Sequence, residues 1–264
     1  MAALGLPVLS AAEHTSVFVL SAPPHAAIHL GAEGKLGGEG LDRVAGFWRV
    51  LGLAPPPDAD HLGVLLMLCA ELADAQAAVR SEMTRARLRH ARTTLLREHL
   101  WSWAPGYLTA VSRVGGPALA SWAGLTLHAL HREASSASAT TALPAALRAA
   151  PAPVGRGEGR DLLLDALVTP VRSGILLTRE DLREAAAVAG LGCRVGERRY
   201  TLAAMLDQDA GAALGWLSRH AGTWAELHAG QQPVGGHDPR HWWARRAART
   251  ARILRALQTR VVTF

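Results

Sequence analysis

Two short segments concentrate the charged and aromatic groups that could do chemistry. The first is Asp58-Ala59-Asp60-His61-Leu62-Gly63, entered through Pro55-Pro56-Pro57. The second is Arg97-Glu98-His99-Leu100-Trp101-Ser102-Trp103-Ala104-Pro105. A carboxylate beside an imidazole can move a proton, and a chain with twelve histidines invites a metal reading. Neither survives inspection of the spacing. His25 and His29 stand at i, i+4 and His128 and His131 at i, i+3, but no H-E-x-x-H or carboxylate partner accompanies them. No G-x-S-x-G elbow is present. Cys69 falls on an apolar helix face, where a thiol acts as a small hydrophobe. The chain therefore reads as a non-enzyme without cofactor or metal. The two segments offer a polar hinge and a Trp-bearing helical surface, which suit the holding of a peptide.

The elements that must position these segments are helical. Ala, Leu and Arg dominate, all strong helix formers, and alternating strand patterns are missing. Eight of thirteen aromatic residues are Trp, a residue suited to cores and to interfaces alike. Val44, Phe47, Trp48 and Leu51 mark a helix over 39–51. The triple proline ends it, and Asp58 or Asp60 caps a helix expected over 61–82 with Leu62, Leu65, Leu66, Cys69, Leu72 and Ala73 on its apolar face. Arg85 to Arg92 form an Arg-rich polar turn of the same or the next helix. Leu95, Leu96, Leu100 and Trp103 make the next apolar face, and Pro105-Gly106 a bend. Pro117 opens a helix bearing Leu119, Trp122, Leu125, Leu127 and Leu130. The glycine-rich stretch 31–38 lacks the G-x-x-x-x-G-K-[ST] order and reads as a flexible loop.

Residues 134–160 are rich in Ser, Ala, Pro and Gly and are expected to be a flexible linker between a core over 1–133 and a segment over 161–264. Beyond it lie a helix over 162–168 and one capped by Thr178 and stopped at Gly190. Two short helices follow, near 200–207 and 210–220, then a Gly/Pro break at 230–236. A final helix places Trp243, Ala247, Ala251, Leu254 and Leu257 on one side and Arg245, Arg249 and Arg252 on the other. The expected fold class is all-α.

The net charge of +6 is unevenly placed. Residues 1–154 hold 12 Lys/Arg against 11 Asp/Glu, while 240–264 hold seven Arg and no acid. Charge alone supports an Arg-rich nucleic-acid-binding or regulatory protein, helped by a helix-turn-helix spacing that Thr178 to Leu206 could adopt. That class is the alternative, and nucleic acid is not the expected partner. Cys69 and Cys193 suit a reduced compartment, no apolar run reaches membrane-span length, and the N-terminus lacks signal-peptide features. The expected location is cytoplasmic.

Pro57-Asp58-Ala59-Asp60-His61-Leu62-Gly63 resembles the Glu-Pro-x-Asp-His-(Ile/Leu)-Gly hinge of the TorD/DmsD/NarJ family of molybdoenzyme maturation chaperones. Leu96-Arg97-Glu98-His99-Leu100, followed by Trp103 and Pro105, resembles a later helix of that family. Leu36-Gly37-Gly38-Glu39, leading to Phe47-Trp48 and Gly52-Leu53, is similar to the stretch before its hinge. The resemblance covers about residues 16–132. The hinge's Glu-Pro is replaced by Pro57-Asp58, carboxylates often found in the next helix by Leu65 and Met67, and the hinge arrives by residue 60 where the family has a preceding helical subdomain. The resemblance implies an all-α bundle of the TorD type with rearranged or extra C-terminal helices. It implies a chaperone that binds the twin-arginine signal peptide and precursor of a molybdenum-cofactor oxidoreductase until the cofactor is inserted. Asp60, His61, Arg97, Glu98, His99, Trp101 and Trp103, with Trp48, are then the expected peptide-binding residues, Asp60 and Glu98 facing the leader's arginines. The chaperone would be a monomer, or a dimer swapped through 134–160.

Overall fold

The computed structural model describes residues 5–136, 142–155, 157, 159–194, 196–230 and 238–262. Among them the fold is all-α, and the only strand-like feature is an isolated antiparallel bridge between His25 and His61. The chain enters through α1 (Ala11–His14), begun by a capping box in which Ser10 and Glu13 each satisfy the other's backbone N–H. It continues without a break as a π-helical segment, Thr15–Ser21. Then come α2 (Ala26–Leu30), α3 (Gly38–Val50), α4 (Leu62–Ala78) and α5 (Glu82–Thr94). A second π-helical turn, Leu95–Leu100, leads to α6 (Ala104–Val114) and α7 (Pro117–Ser136). The second half holds α8 (Ala145–Arg148), α9 (Arg160–Val168), α10 (Pro170–Ser173), α11 (Arg179–Ala189), α12 (Arg198–Gln208), α13 (Ala210–Ala229) and α14 (Pro239–Val262).

Several elements differ from expectation for local reasons. The helix expected over 61–82 stops at Ala78, because Ser81 captures the N–H of Thr84 and starts α5 anew. Arg85 to Arg92 belong to the next helix, one of the two placements expected for them, and that helix, α5, buries no residue. Pro105 and Gly106 do not merely bend the chain. Pro105 stands in the first turn of α6, where its missing N–H is harmless. The helix expected over 210–220 extends to Ala229, since Trp216, Leu217, His220, Ala221, Trp224 and His228 keep one face buried. Residues 190–197 separate α11 from α12, too long a connection for the three- or four-residue turn of a helix-turn-helix. The Gly/Pro break at 231–236 lies outside the described residues, as do 137–141, 156 and 158 of the expected linker. Within the described part of 134–160, Ala146, Leu147 and Val154 are buried and the Val154 N–H donates to the Arg172 carbonyl, while Arg148, Ala149, Ala152, Gly157 and Gly159 are exposed.

Two apolar clusters form, and α14 belongs to both. The first gathers residues from Val17 to Leu147 together with Val171, Trp242 and Trp243. The second gathers Ala110 and residues from Val154 to Leu254. At its start α14 drives Trp243 into the first cluster, where the indole N–H donates to the Ser102 carbonyl at 2.9 Å. Its later turns lay Ala247, Ala251, Ile253 and Leu254 into the second cluster, against α13. The approach of α10 to α14 requires Gly174, whose φ is +76°. A Cβ there would sit 2.3 Å from the Ala247 nitrogen.

Three of the seven arginines of the tail are engaged in this clamp, while Arg245, Arg252, Arg255 and Arg260 are exposed. Arg240 is buried against Asp238 and lies over the Trp101 ring. Arg246 donates to the Pro151 and Val171 carbonyls while covering Trp242, and Arg249 donates to the Val154 carbonyl. Trp243→Ala is expected to cost about 3–5 kcal/mol through the cavity and the unpaired Ser102 carbonyl, and Trp243→Phe much less. Urea denaturation checks both, and an unshifted midpoint in Trp243→Ala would refute the clamp.

Candidate functional site

The hinge is a clasp closed by one buried carboxylate. After the triple proline, the chain turns so that Asp60 points inwards at 2% exposure. Its Oδ2 accepts the Ala27 N–H at 2.8 Å, and its Oδ1 lies 3.3 Å from His25 Nδ1. Two main-chain bonds complete the pairing: Ala26 N–H to the Asp60 carbonyl and Leu62 N–H to the Pro24 carbonyl. Asp60 thus caps α2, a helix from a different part of the chain, which has no side-chain cap of its own. The next residue starts α4. His61 Nδ1 accepts the Gly63 N–H at 3.1 Å, which requires an unprotonated ring. Burial, then the neighbouring His25, hold the His61 pKa below its ordinary value, which keeps that lone pair available.

The second expected segment lies almost wholly inside. Trp103 is 2% exposed, donates its indole N–H to the His99 carbonyl at 2.7 Å, and stacks on His29 at 4.9 Å. His99 is buried against Phe47. Trp101 is buried beneath Arg240, with no partner for its indole N–H among the described residues. Glu98 Oε2 accepts the Ala145 N–H at 2.7 Å, tying the π-helical turn to the start of α8. Arg97 is half-buried, with its pKa lowered by burial. Trp48 is packed against the first cluster on α3. Asp60 and Glu98, the acids expected to face a ligand's arginines, are both engaged inside the fold. Each carboxylate already accepts a backbone N–H, and Asp60 has left solvent. Trp101, Trp103 and His99 likewise form core, not a surface wall.

What lies open beside the clasp is an apolar groove of about 350 Å³. Phe18 and Val19 form one side, Leu62 and Leu66 another, with Tyr107 and Trp122 completing the wall. His14, His25 and His61 mark its polar edge. His25 and His61 meet edge to face at 5.1 Å, and Phe18 meets Trp122 at 6.5 Å. Val19 keeps 58% of its surface exposed. The Tyr107 hydroxyl is buried with no hydrogen-bond partner among the described residues, and burial raises its pKa. Of the expected residues only His61 lines this groove. Trp103 stands behind it, 5.5 Å from the Tyr107 ring, and Asp60 fixes His25 at its edge.

Phe18, Val19, Leu66, Tyr107 and Trp122 were not among the expected residues. A readable signal existed for the first two. Ser10-Ala-Ala-Glu13 is a capping box, and it announces a helix that carries Phe18 and Val19 onward from residue 11. No group of three or more His, Cys, Asp or Glu among the described residues could hold a metal. No described helix is long and apolar enough to cross a membrane.

Residues 9–108 match the family model of the nitrate reductase delta subunit. That is the NarJ/TorD-type family of molybdoenzyme maturation chaperones, a non-catalytic family whose members act with nitrate reductase-type molybdoenzyme subunits. The matched stretch contains the clasp and every groove residue named above except Trp122. No curated protein and no solved structure matches the chain.

Three buried imidazoles give the fold a pH dependence. Burial pushes His29 down to about 3 and His99 and His228 to about 4. Above pH 6.5 these rings are neutral in both folded and unfolded chains and leave stability unchanged. Below it only the unfolded chain takes up protons, so stability falls as pH drops towards 4, by up to about 1.4 kcal/mol per pH unit for each ring. Thermal denaturation should therefore show Tm falling between pH 7 and 5, and His99→Phe should flatten the slope. A slope unchanged by His99→Phe would refute this. Asp60→Ala, which strands the Ala27 N–H, should cost about 1–3 kcal/mol in urea denaturation. A variant as stable as the parent would show the clasp to be dispensable.

Proposed function

We propose, for a chain whose residues 9–108 belong to the nitrate reductase delta subunit family, that the groove beside the Asp60 clasp holds the apolar stretch of a molybdoenzyme precursor's twin-arginine signal peptide. The chaperone would keep that precursor in the cytoplasm until its cofactor is inserted. The observation that carries the reading is the groove itself. Its walls are Phe18, Val19, Leu62, Leu66 and Trp122, with the ring of Tyr107 behind them. A peptide laid along such walls buries apolar surface.

The hinge residues act in this reading by shape. Asp60 sets His25, and His61 starts the α4 wall. Trp103 and His99 hold the π-helical turn behind Tyr107, and Trp101, Trp48, Arg97 and Glu98 support it from further away. The leader's arginines then need another acid. Asp58 is exposed and adjoins the clasp, so it takes that part.

A synthetic twin-arginine leader from a molybdoenzyme catalytic subunit is the probe, read by calorimetry. A dissociation constant of about 1 µM, corresponding to about −8 kcal/mol, is expected. Val19→Asp changes an exposed wall residue and should weaken binding at least tenfold. Asp58→Asn should cost less and make binding less sensitive to salt. Absence of saturable heat with the parent protein would overturn the signal-peptide reading.

A further inference from the structure

A second cleft, of about 630 Å³, lies where the glycine-rich loop meets the second half of the chain. Gly34 brings the loop there. With φ at +63° it rests on Thr169, and a Cβ would stand 3.3 Å from the Thr169 Cα. The next residue, Lys35, is the only lysine of the chain. It shares the cleft with Arg172, Arg179, Arg198 and Arg199.

The positive charges there are unequally neutralised. Arg199 is held by Asp165 and Asp161. Arg179 and Arg198 have no carboxylate within ion-pair distance among the described residues. Arg198 is half-buried and donates to the Leu177 carbonyl through one nitrogen only, Nη1. Burial, and then the charge of Arg179, lower its pKa, so the two guanidinium groups stand close enough to repel. Glu33 and Glu197 also line the cleft, but neither is within ion-pair distance of Arg179 or Arg198 among the described residues, so the cations remain in excess and an anionic ligand between those two guanidinium groups would relieve their repulsion. The cavity is the size of a small-molecule site, and Arg presents the forked donors that match phosphate oxygens. The loop's glycine order is not that of a phosphate-cradling backbone, so side chains must make the contacts.

We infer that this cleft binds a diphosphate-bearing small molecule, with Lys35, Arg179 and Arg198 as its ligands. The site joins Lys35 to residues beyond the stretch matched by the family model, so it depends on how this chain's second half is built. It is also separate from the peptide groove in its lining, apart from the adjoining residues Val19 and Leu20.

Calorimetric titration of the full chain with inorganic pyrophosphate at low ionic strength tests the inference. One saturable site is expected, with citrate, a tricarboxylate, binding at least tenfold more weakly. Arg179→Gln and Lys35→Gln should each weaken pyrophosphate at least fivefold, and neither residue is needed for packing. Arg87→Gln with Arg89→Gln, on exposed α5, removes the same kind of charge elsewhere and should leave binding unchanged. No saturable binding would overturn the inference. Citrate binding as tight as pyrophosphate would overturn the phosphate assignment, and equal losses in the α5 variant would reduce the effect to net charge. Leader binding is read separately and is unaffected by either result.

Discussion

The buried carboxylate of Asp60 is the contact on which the working part of this molecule depends. A five-residue helix such as α2 cannot hold itself, because it has too few internal bonds to offset the ordering of its backbone. Asp60 supplies what the local sequence lacks, a charge-assisted acceptor at the helix start, delivered from 33 residues away. The two main-chain bonds of the bridge then fix His25 against His61. With those two points set, the segment bearing Phe18 and Val19 faces the start of α4, and a groove results. The same contact explains why an acid in the hinge need not touch a ligand to matter for binding.

The second organising element is α14. A chain with a Ser/Ala/Pro/Gly-rich middle would ordinarily be free to move its halves apart. Here Trp242 and Trp243 enter the first cluster while Ala247 to Leu254 complete the second, so neither cluster is whole without the last helix. Arginine does a packing job in this clamp. Its guanidinium caps carbonyls of the intervening segment at Pro151, Val154 and Val171 and covers indole faces. Part of a basic tail that looks like a nucleic-acid footprint in the sequence, Arg240, Arg246 and Arg249, is an internal fastening.

The fold class and most helix starts were legible because they rest on local rules. Thr178 and Gly190 are caps in the structure as their residue types require, and the period of apolar residues finds α3, α4, α7 and α14. The hinge was legible as a motif, and the family match over residues 9–108 agrees with it. The orientation of its side chains was not, since whether Asp60 faces inwards depends on α2 lying beneath it, a tertiary fact. Trp-rich spacing misled for the same reason: Trp101 and Trp103 serve equally as core or as surface until the neighbours are known. The packing of Leu147 and Val154 was hidden by the Ala and Pro around them, which give no helical or strand period.

Hydrogen–deuterium exchange of the intact protein, with and without a twin-arginine leader, tests the central claim most directly. The account predicts slowed exchange confined to residues 14–25 and 61–66, where the groove and clasp meet. Protection centred instead on 97–103, or none anywhere in the presence of saturating peptide, would contradict it.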